Sequence, residues 1–231
     1  MMTKERINRI MKEMSLDYIK RLSIFWLRKW NYAISAFYIR FYTNGKRDFL
    51  PLENEYCGDM SHRTSERIIE CRLLLDKVTE WKKSGNANII EVGAVSPYVF
   101  PNLIEEILDC YDKHEKVTKR MDLFDFDFSG YDVISISTIE HVGTGDYNNS
   151  IVKDATYAIK KILDESRRCL ITIPIGYNKL LDEYIYNNIK NIVCYKRGKF
   201  DNNFVVTPIE KCIHSKYSAI RYADAICVIE K

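Results

Sequence analysis

Three short apolar runs, each closing on acidic residues, decide what architecture this sequence can adopt. The run at 88–92 closes on Glu91-Val92-Gly93, the run at 106–110 ends in Asp109, and the run at 131–139 leads into Glu140-His141. Runs of strand length separated by turn signals and helical patterns describe a largely parallel sheet covered on both faces. In such open α/β sheets ligands sit beyond the carboxyl ends of the strands, and an acid ending the second strand can take a pair of ribose hydroxyls. The order therefore reads as a nucleotide-cofactor site built on strand ends, and the chain as an enzyme.

The rest of the chain supports that architecture. Strands are expected at 88–92, 106–110, 133–137, 169–173, 192–196, 204–208 and 225–230. A helix is expected over 154–168, with Ala155, Ala158, Ile159, Ile162 and Leu163 on one face and Asp154 near its positive N-terminal end. A second is expected over 65–82, with Ser65 as N-cap and Ile68, Ile69, Cys71, Leu73, Leu74, Leu75 and Val78 on its apolar face, ended by Gly85. Residues 3–42 read as helix, with Ile7, Ile10, Met11, Met14, Tyr18, Leu22, Phe25 and Trp26 at steps of three and four, and 44–64 as a loop able to close over a site. The division that follows is a helical cap and substrate-side loop at 1–84 and a cofactor-binding domain at 85–231. The chain shows no internal repeat and no low-complexity tract.

A length of 231 residues suffices for one core domain with an appendage. Hydrophobic content of 46% with only 9 Gly and 5 Pro excludes disordered and collagenous classes. The formal charge of +3 is uneven: residues 1–47 hold eleven Lys/Arg against three Asp/Glu, a surplus of eight that leaves the remainder at −5. That segment also carries Tyr18, Phe25, Trp26, Trp30, Tyr32, Phe37, Tyr38, Phe41 and Tyr42. Two readings stay open for it. It is either a cap packed on the core with its cations in water, or a basic aromatic face for peripheral contact with an anionic membrane. No nucleic-acid partner is expected. Seven cysteines without a CxxC pair, several within apolar runs, read as buried reduced thiols of a cytoplasmic protein. The longest uncharged stretch, 92–104, has 13 residues and two prolines, too short to span a bilayer, and residues 4–13 are too charged for a signal peptide.

A dinucleotide-binding turn needs three glycines, the second for close approach to a pyrophosphate. The run here is Gly93-Ala94-Val95-Ser96-Pro97-Tyr98, with branched Val95 where that approach would fall. A donor with adenosine but no phosphate, such as S-adenosylmethionine, needs only one close passage, plus acids for its ribose and its cationic amino-acid end. On residues alone, Glu91 can equally be a charge closing a strand and Asp109 a solvent-facing turn acid.

The segments IIEVGAVSPY, ILDCYDK, KRMDLFDFDFSGYDVISISTIEHVG and LITIPIGYN, between Ile89 and Asn178, resemble class I S-adenosylmethionine-dependent methyltransferases, in particular a branch of small bacterial ones. A weaker echo lies upstream in RTSERIIE. The resemblance implies a Rossmann-like α/β fold with a mostly parallel seven-stranded sheet, helices on both faces and an N-terminal helical extension. It implies that Glu91, Gly93 and Ala94 border the methionine part of the donor, with Ser137 beside them. Asp109 would accept the ribose hydroxyls, and Asp122 and Leu123 would flank the adenine. The family often has a second glycine where Ala94 to Ser96 stand.

Methyl transfer from a sulfonium is an in-line displacement, so alignment lowers most of the barrier and a base helps when the acceptor is a hydroxyl. Glu140-His141 follows the strand where donor and acceptor meet in this resemblance. His141 is the candidate base and Glu140 its orienting partner or a donor contact, the structural alternative being a neutral histidine bonded to a neighbouring loop. Some methyltransferases with an EH pair bind Mg²⁺ through it and a carboxylate three residues earlier. Here that position is Ser137, so no metal is expected, and Glu140, His141 and His214 make only a poor ligand set. Acceptor binding is assigned to Arg63, Glu66 and Arg67, the turn 143–147, Tyr177 and Asn178. The two arginines share a helix face and either clamp a phosphate or carboxylate or pair with Glu66 and Glu70. The expected function is O-methylation of a small phosphorylated or sugar-containing acceptor in surface-glycan or secondary metabolism. The alternative is a non-catalytic protein of the same fold that works as a membrane-associated assembly or binding partner.

Overall fold

A computed structural model describes residues 66–100, 102–112, 114–144, 154–197, 204–217 and 223–231. The basic aromatic segment, Arg63, Ser65 and Tyr147 lie outside the described residues. In chain order the elements are α1 (Arg67–Lys83), β1 (Ile89–Val92), α2 (Ser96–Val99), β2 (Glu106–Leu108), β3 (Asp132–Ile136), a 3-10 turn (Ile139–His141), α3 (Ala155–Glu165), β4 (Arg168–Pro174), α4 (Lys179–Asn188), β5 (Ile192–Arg197), β6 (Phe204–Val206), a second 3-10 turn (Ile209–Lys211) and β7 (Ala225–Glu230). Each of the seven segments expected to be a strand contains one.

The seven strands form one sheet in the order β2-β1-β3-β4-β7-β5-β6. The pairs β1/β2, β1/β3 and β3/β4 are parallel, while β4/β7, β7/β5 and β5/β6 are antiparallel. The sheet is therefore mixed, which corrects the expectation of a mostly parallel one. The cause is β7, which enters between β4 and β5 against the direction of both. β6 then returns along the outer edge of β5.

Side chains alternate between two buried faces. Ile134, Ile136, Leu170, Ile226 and Val228 meet Cys71, Leu74, Val78 and Trp81 of α1 and Val99 of α2. Val133, Cys169, Ile171, Ile173, Cys227 and Ile229 meet Ala155, Ala158, Ile159 and Ile162 of α3 and Leu181 and Ile185 of α4. Burial on both sides explains why the strands read as continuous apolar runs. Each fully buried Leu or Ile contributes about 1.5 to 3 kcal/mol through the hydrophobic effect. Helix α1, grouped with the cap on sequence grounds, is thus integral to the core of the sheet.

Capping follows the sequence in α3, where the Asp154 side chain accepts from Thr156 N–H and Tyr157 N–H. Helix α4 has no counterpart in the sequence reading, because its buried apolar residues are few; Asn178 starts it by accepting from Leu181 N–H. At the amino ends of the strands, buried Asp132 binds Arg167 Nε at 2.7 Å and Arg168 Nε at 2.9 Å and accepts from Asn88 N–H at 3.2 Å. Burial alone would raise its pKa, but the two guanidinium groups outweigh that and hold it below the usual carboxylate range. This lock ties β1, β3 and β4 together at the end away from the candidate site.

Of the described cysteines, Cys110 is exposed and Cys71, Cys169, Cys194, Cys212 and Cys227 are buried free thiols. Among the described residues no helix is long and apolar enough to cross a membrane.

Candidate functional site

From β1 the chain moves to β2 on one side, then crosses to β3 on the other, so the strand order reverses at the carboxyl ends of β1 and β3. Such a switch point opens a crevice in an α/β sheet. Glu91 and Gly93 stand on its β1 side, and Ser137, Thr138, Glu140 and His141 on its β3 side.

Glu91 is fully buried on the α1 face. Its Oε1 accepts from Val95 N–H at 3.1 Å and Ser96 N–H at 2.9 Å, and its Oε2 accepts from the Ser96 hydroxyl. The carboxylate thereby folds the 93–96 loop back onto the strand that precedes it. Burial raises its pKa to about 7, against the opposing pull of the Ser96 and Val95 hydrogen bonds and of Arg67. Ala94 is half-buried within the loop that Glu91 braces.

Gly93 has φ +88°, and a Cβ placed there would lie 2.2 Å from Thr138 Oγ1. Both the left-handed backbone and the close packing of the β1 and β3 ends exclude any larger residue. Gly93→Ala is expected to lose roughly 2 to 4 kcal/mol of stability through backbone strain and overpacking. Denaturant unfolding of the variant checks this, and trimming Thr138 to glycine in the same chain should recover the packing part alone.

Ser137 has φ +42°, the one described non-glycine residue with positive φ. Its hydroxyl donates to Glu70 Oε1, which also accepts from Thr172 Oγ1 at 2.8 Å. Its N–H donates to the Thr172 carbonyl at 3.1 Å. Arg67 Nη1 lies 3.2 Å from Glu70 Oε2, the ion-pair alternative for that arginine. Glu70 therefore clamps the left-handed residue that turns the chain from β3 toward Glu140. Strain of this kind concentrates at functional sites.

Glu140 is buried in the 3-10 turn. Burial pushes its pKa well above the ordinary value, opposed by its own backbone hydrogen bond and by Arg67, and reinforced by Glu70 and Glu66. Its Oε2 has no hydrogen-bond partner among the described residues. Glu66, buried at the start of α1, accepts from Ala223 N–H at 3.0 Å and lies 3.5 Å from Arg197 Nη2. Burial, reinforced by Glu70, raises it to about 7. Four buried carboxyl groups with Arg67 and Arg197 make an acid-rich interior behind the crevice.

His141, half-buried, places Nε2 3.8 Å from Glu140 Oε1 and Nδ1 2.9 Å from the Tyr177 hydroxyl. The Tyr177 ring packs edge-on against Tyr217, with centroids 4.9 Å apart. Gly176, φ +93°, lets the exit of β4 approach the 215–217 backbone, where a Cβ would meet Ser215 O at 2.5 Å. Asn178 donates from Nδ2 to the Glu140 carbonyl at 3.1 Å while its Oδ1 caps α4. Tyr177 and Asn178 thus brace Glu140 and His141 from the β4 side. His214 is exposed, and no metal-binding cluster occurs among the described residues.

At the other end of the crevice, Asp109 follows β2, and Gly93 N–H donates to the Leu108 carbonyl at 2.9 Å. Asp109 Oδ1 accepts from Tyr111 N–H at 2.7 Å and Asp112 N–H at 2.9 Å, so one oxygen shapes the turn. Asp122 is exposed and close enough to act electrostatically, with Asp109, on Cys110 and Tyr111. Leu123 packs at the edge of the core. The structure brings Asp109 and Asp122 to one edge, and Glu91, Gly93, Ser137, Glu140, His141, Tyr177 and Asn178 to the adjoining one.

Sequence reasoning missed Glu70 as the clamp on Ser137 and Thr138 as the residue against Gly93. Glu70 sits within RTSERIIE, a usable signal, whereas nothing local marks Thr138. No family model, no curated protein and no solved structure matches this chain.

Proposed function

We propose that this chain is a class I S-adenosylmethionine-dependent methyltransferase acting on a hydroxyl of a small, phosphorylated or sugar-containing acceptor. The observation that carries the reading is the convergence, at the β1/β3 switch point, of Glu91 and Gly93 with the Glu140-His141 turn, one strand from Asp109. The buried acids suit the donor's cationic end, and the unsatisfied Glu140 Oε2 offers an acceptor there. Glu91, Gly93 and Ala94 would border the methionine part, and Asp109, Asp122 and Leu123 the adenosine. When bound, S-adenosylmethionine supplies an electrophilic methyl group on a sulfonium.

The chain's own residues account for the acceptor side. His141 takes the hydroxyl proton at a ring nitrogen, with the Glu140 carboxyl 3.8 Å from Nε2. Tyr177 fixes the ring through Nδ1, so the base is held in one orientation. Arg63 and Arg67 are the candidate contacts for an anionic acceptor, Arg67 reaching it from its pair with Glu70.

A second reading, a non-catalytic protein of this fold that binds a partner or membrane through the basic aromatic segment, is favoured by one observation. Thr138 fills the space against Gly93, and the Glu91 oxygens are engaged in bracing the loop. Isothermal calorimetry of the full chain with S-adenosylmethionine separates the two: saturable binding supports the enzyme, and its absence from folded protein supports the second reading.

Within the enzyme reading, Asp109→Ala is expected to weaken donor binding by about 1.5 to 3 kcal/mol, the range for a hydrogen bond to a charged group. Because Asp109 also holds the 109–112 turn, Asp109→Asn is the sharper test. It can keep that turn acceptor while removing the charge, and unchanged affinity in both variants would take Asp109 out of the site.

A further inference from the structure

Cys194 on β5 and Cys227 on β7 are register partners in an antiparallel pair. The Cys194 carbonyl points away from β7 and accepts from Thr207 N–H on the β6 side at 2.8 Å. Three residues on, Arg197 N–H donates to its opposite number, Asp224, at 2.8 Å. Backbone groups alternate sides along a strand, so Arg197 occupies a hydrogen-bonded position of the pairing and Cys194 a non-hydrogen-bonded one. There the facing Cα atoms come to about 4.5 Å and the side chains are closest. That spacing falls in the range a disulfide accepts, about 4.4 to 6.8 Å. Both sulfurs lie on the face of the sheet covered by α3 and α4, 2.8 Å apart, with one thiol donating to the other.

Neither sulfur is bonded in the structure. Cys212, at the end of the second 3-10 turn, is a further hydrogen-bonding neighbour of Cys194. The Cys227 hydrogen bond lowers the Cys194 pKa, against burial. Cys194 lies on the strand next to the β6 edge while Cys227 lies one strand further in, so Cys194 is the sulfur that local opening at that edge reaches first. The acid-rich interior behind the crevice uses none of these thiols.

We propose that Cys194 and Cys227 are a dithiol that a peroxide converts to a cross-strand disulfide joining β5 to β7. The Cys194 sulfur attacks one peroxide oxygen, the O–O bond breaks, and the departing hydroxide leaves as water with the thiol proton. The Cys227 sulfur then displaces the hydroxyl of the sulfenic acid: the S–O bond breaks, the S–S bond forms, and a second water carries off the Cys227 proton. Two thiols lose one electron pair and one peroxide gains it. Both sulfurs are buried, so local opening near the β6 edge sets the rate.

The test treats the full-length chain with hydrogen peroxide at neutral pH, alkylates the remaining thiols under denaturation, digests without reductant and maps the peptides by mass spectrometry. The expected product is a peptide pair joined through Cys194 and Cys227, lighter by two hydrogens, released by dithiothreitol, and lost in both Cys194→Ser and Cys227→Ser. Exposed Cys110 reports that the reagent has acted. Recovery of Cys194 and Cys227 as alkylated thiols after Cys110 has been oxidised overturns the proposal, as does a link from Cys194 to Cys212 instead.

Discussion

His141→Ala is expected to lower turnover by about 10² to 10⁴ while leaving affinity for S-adenosylmethionine nearly intact, the usual effect of removing a general base. The expectation rests on position: the imidazole follows β3 at the switch point, with Glu140 at one ring nitrogen and Tyr177 at the other. Tyr177→Phe removes only the hydroxyl that orients the ring. It should cost about tenfold, the worth of one hydrogen bond of this kind. The measurement is S-adenosylhomocysteine formation, first across phosphorylated sugars and nucleotide sugars to find the acceptor, then with both variants on it. Full turnover by His141→Ala would leave alignment alone to explain the chemistry and return His141 to a structural role. Loss of donor binding by Tyr177→Phe would point instead to general disturbance of the turn.

Stability is expected to fall as the pH rises from about 5 to about 8, because buried carboxyl groups bind protons more tightly in the folded chain than in the unfolded one. Glu91 and Glu66 move from an ordinary value of 4.5 to about 7, in both cases chiefly through burial. Between those two values the folded state holds the extra protons, so unfolding becomes easier with each step up in pH. The stabilisation is fully present below 4.5 and lost once the pH has passed 7. Each group contributes on the order of 3 kcal/mol over that window. Glu140, raised in the same direction chiefly by burial, adds to the decline. Asp132 does not offset the trend: its pKa is lowered, so its contribution is already complete above the ordinary aspartate value of 3.8. Urea midpoints at pH 5, 6, 7 and 8 measure the slope, and Glu91→Gln should flatten part of it. A midpoint that stays flat across the same interval would mean that these carboxyl groups ionise at their ordinary values.

The positions of the strands and of α3 were legible in the sequence, because burial on both faces turns each strand into an apolar run and a helix with one buried face shows its period. Asp154 could be placed at the start of α3 for the same local reason: a cap reaches only two or three residues along the chain. The acids of the candidate site could be named from their place at the ends of runs. Their partners could not. Ser137 meets Glu70 across 67 residues, and Thr138 closes on Gly93 through the pairing of β1 with β3. Strand direction was equally hidden, since an apolar run reads the same whether its neighbours run with it or against it. β7 therefore looked like one more parallel strand and proved to be the inserted one, opposed to β4 and β5. Cys194 and Cys227 likewise stood in separate apolar runs, and only the register of that insertion brings them face to face. Local pattern determines which segments become strands and helices; tertiary pairing decides which side chains share a buried space, and so which of the acids are held protonated and where the thiols meet.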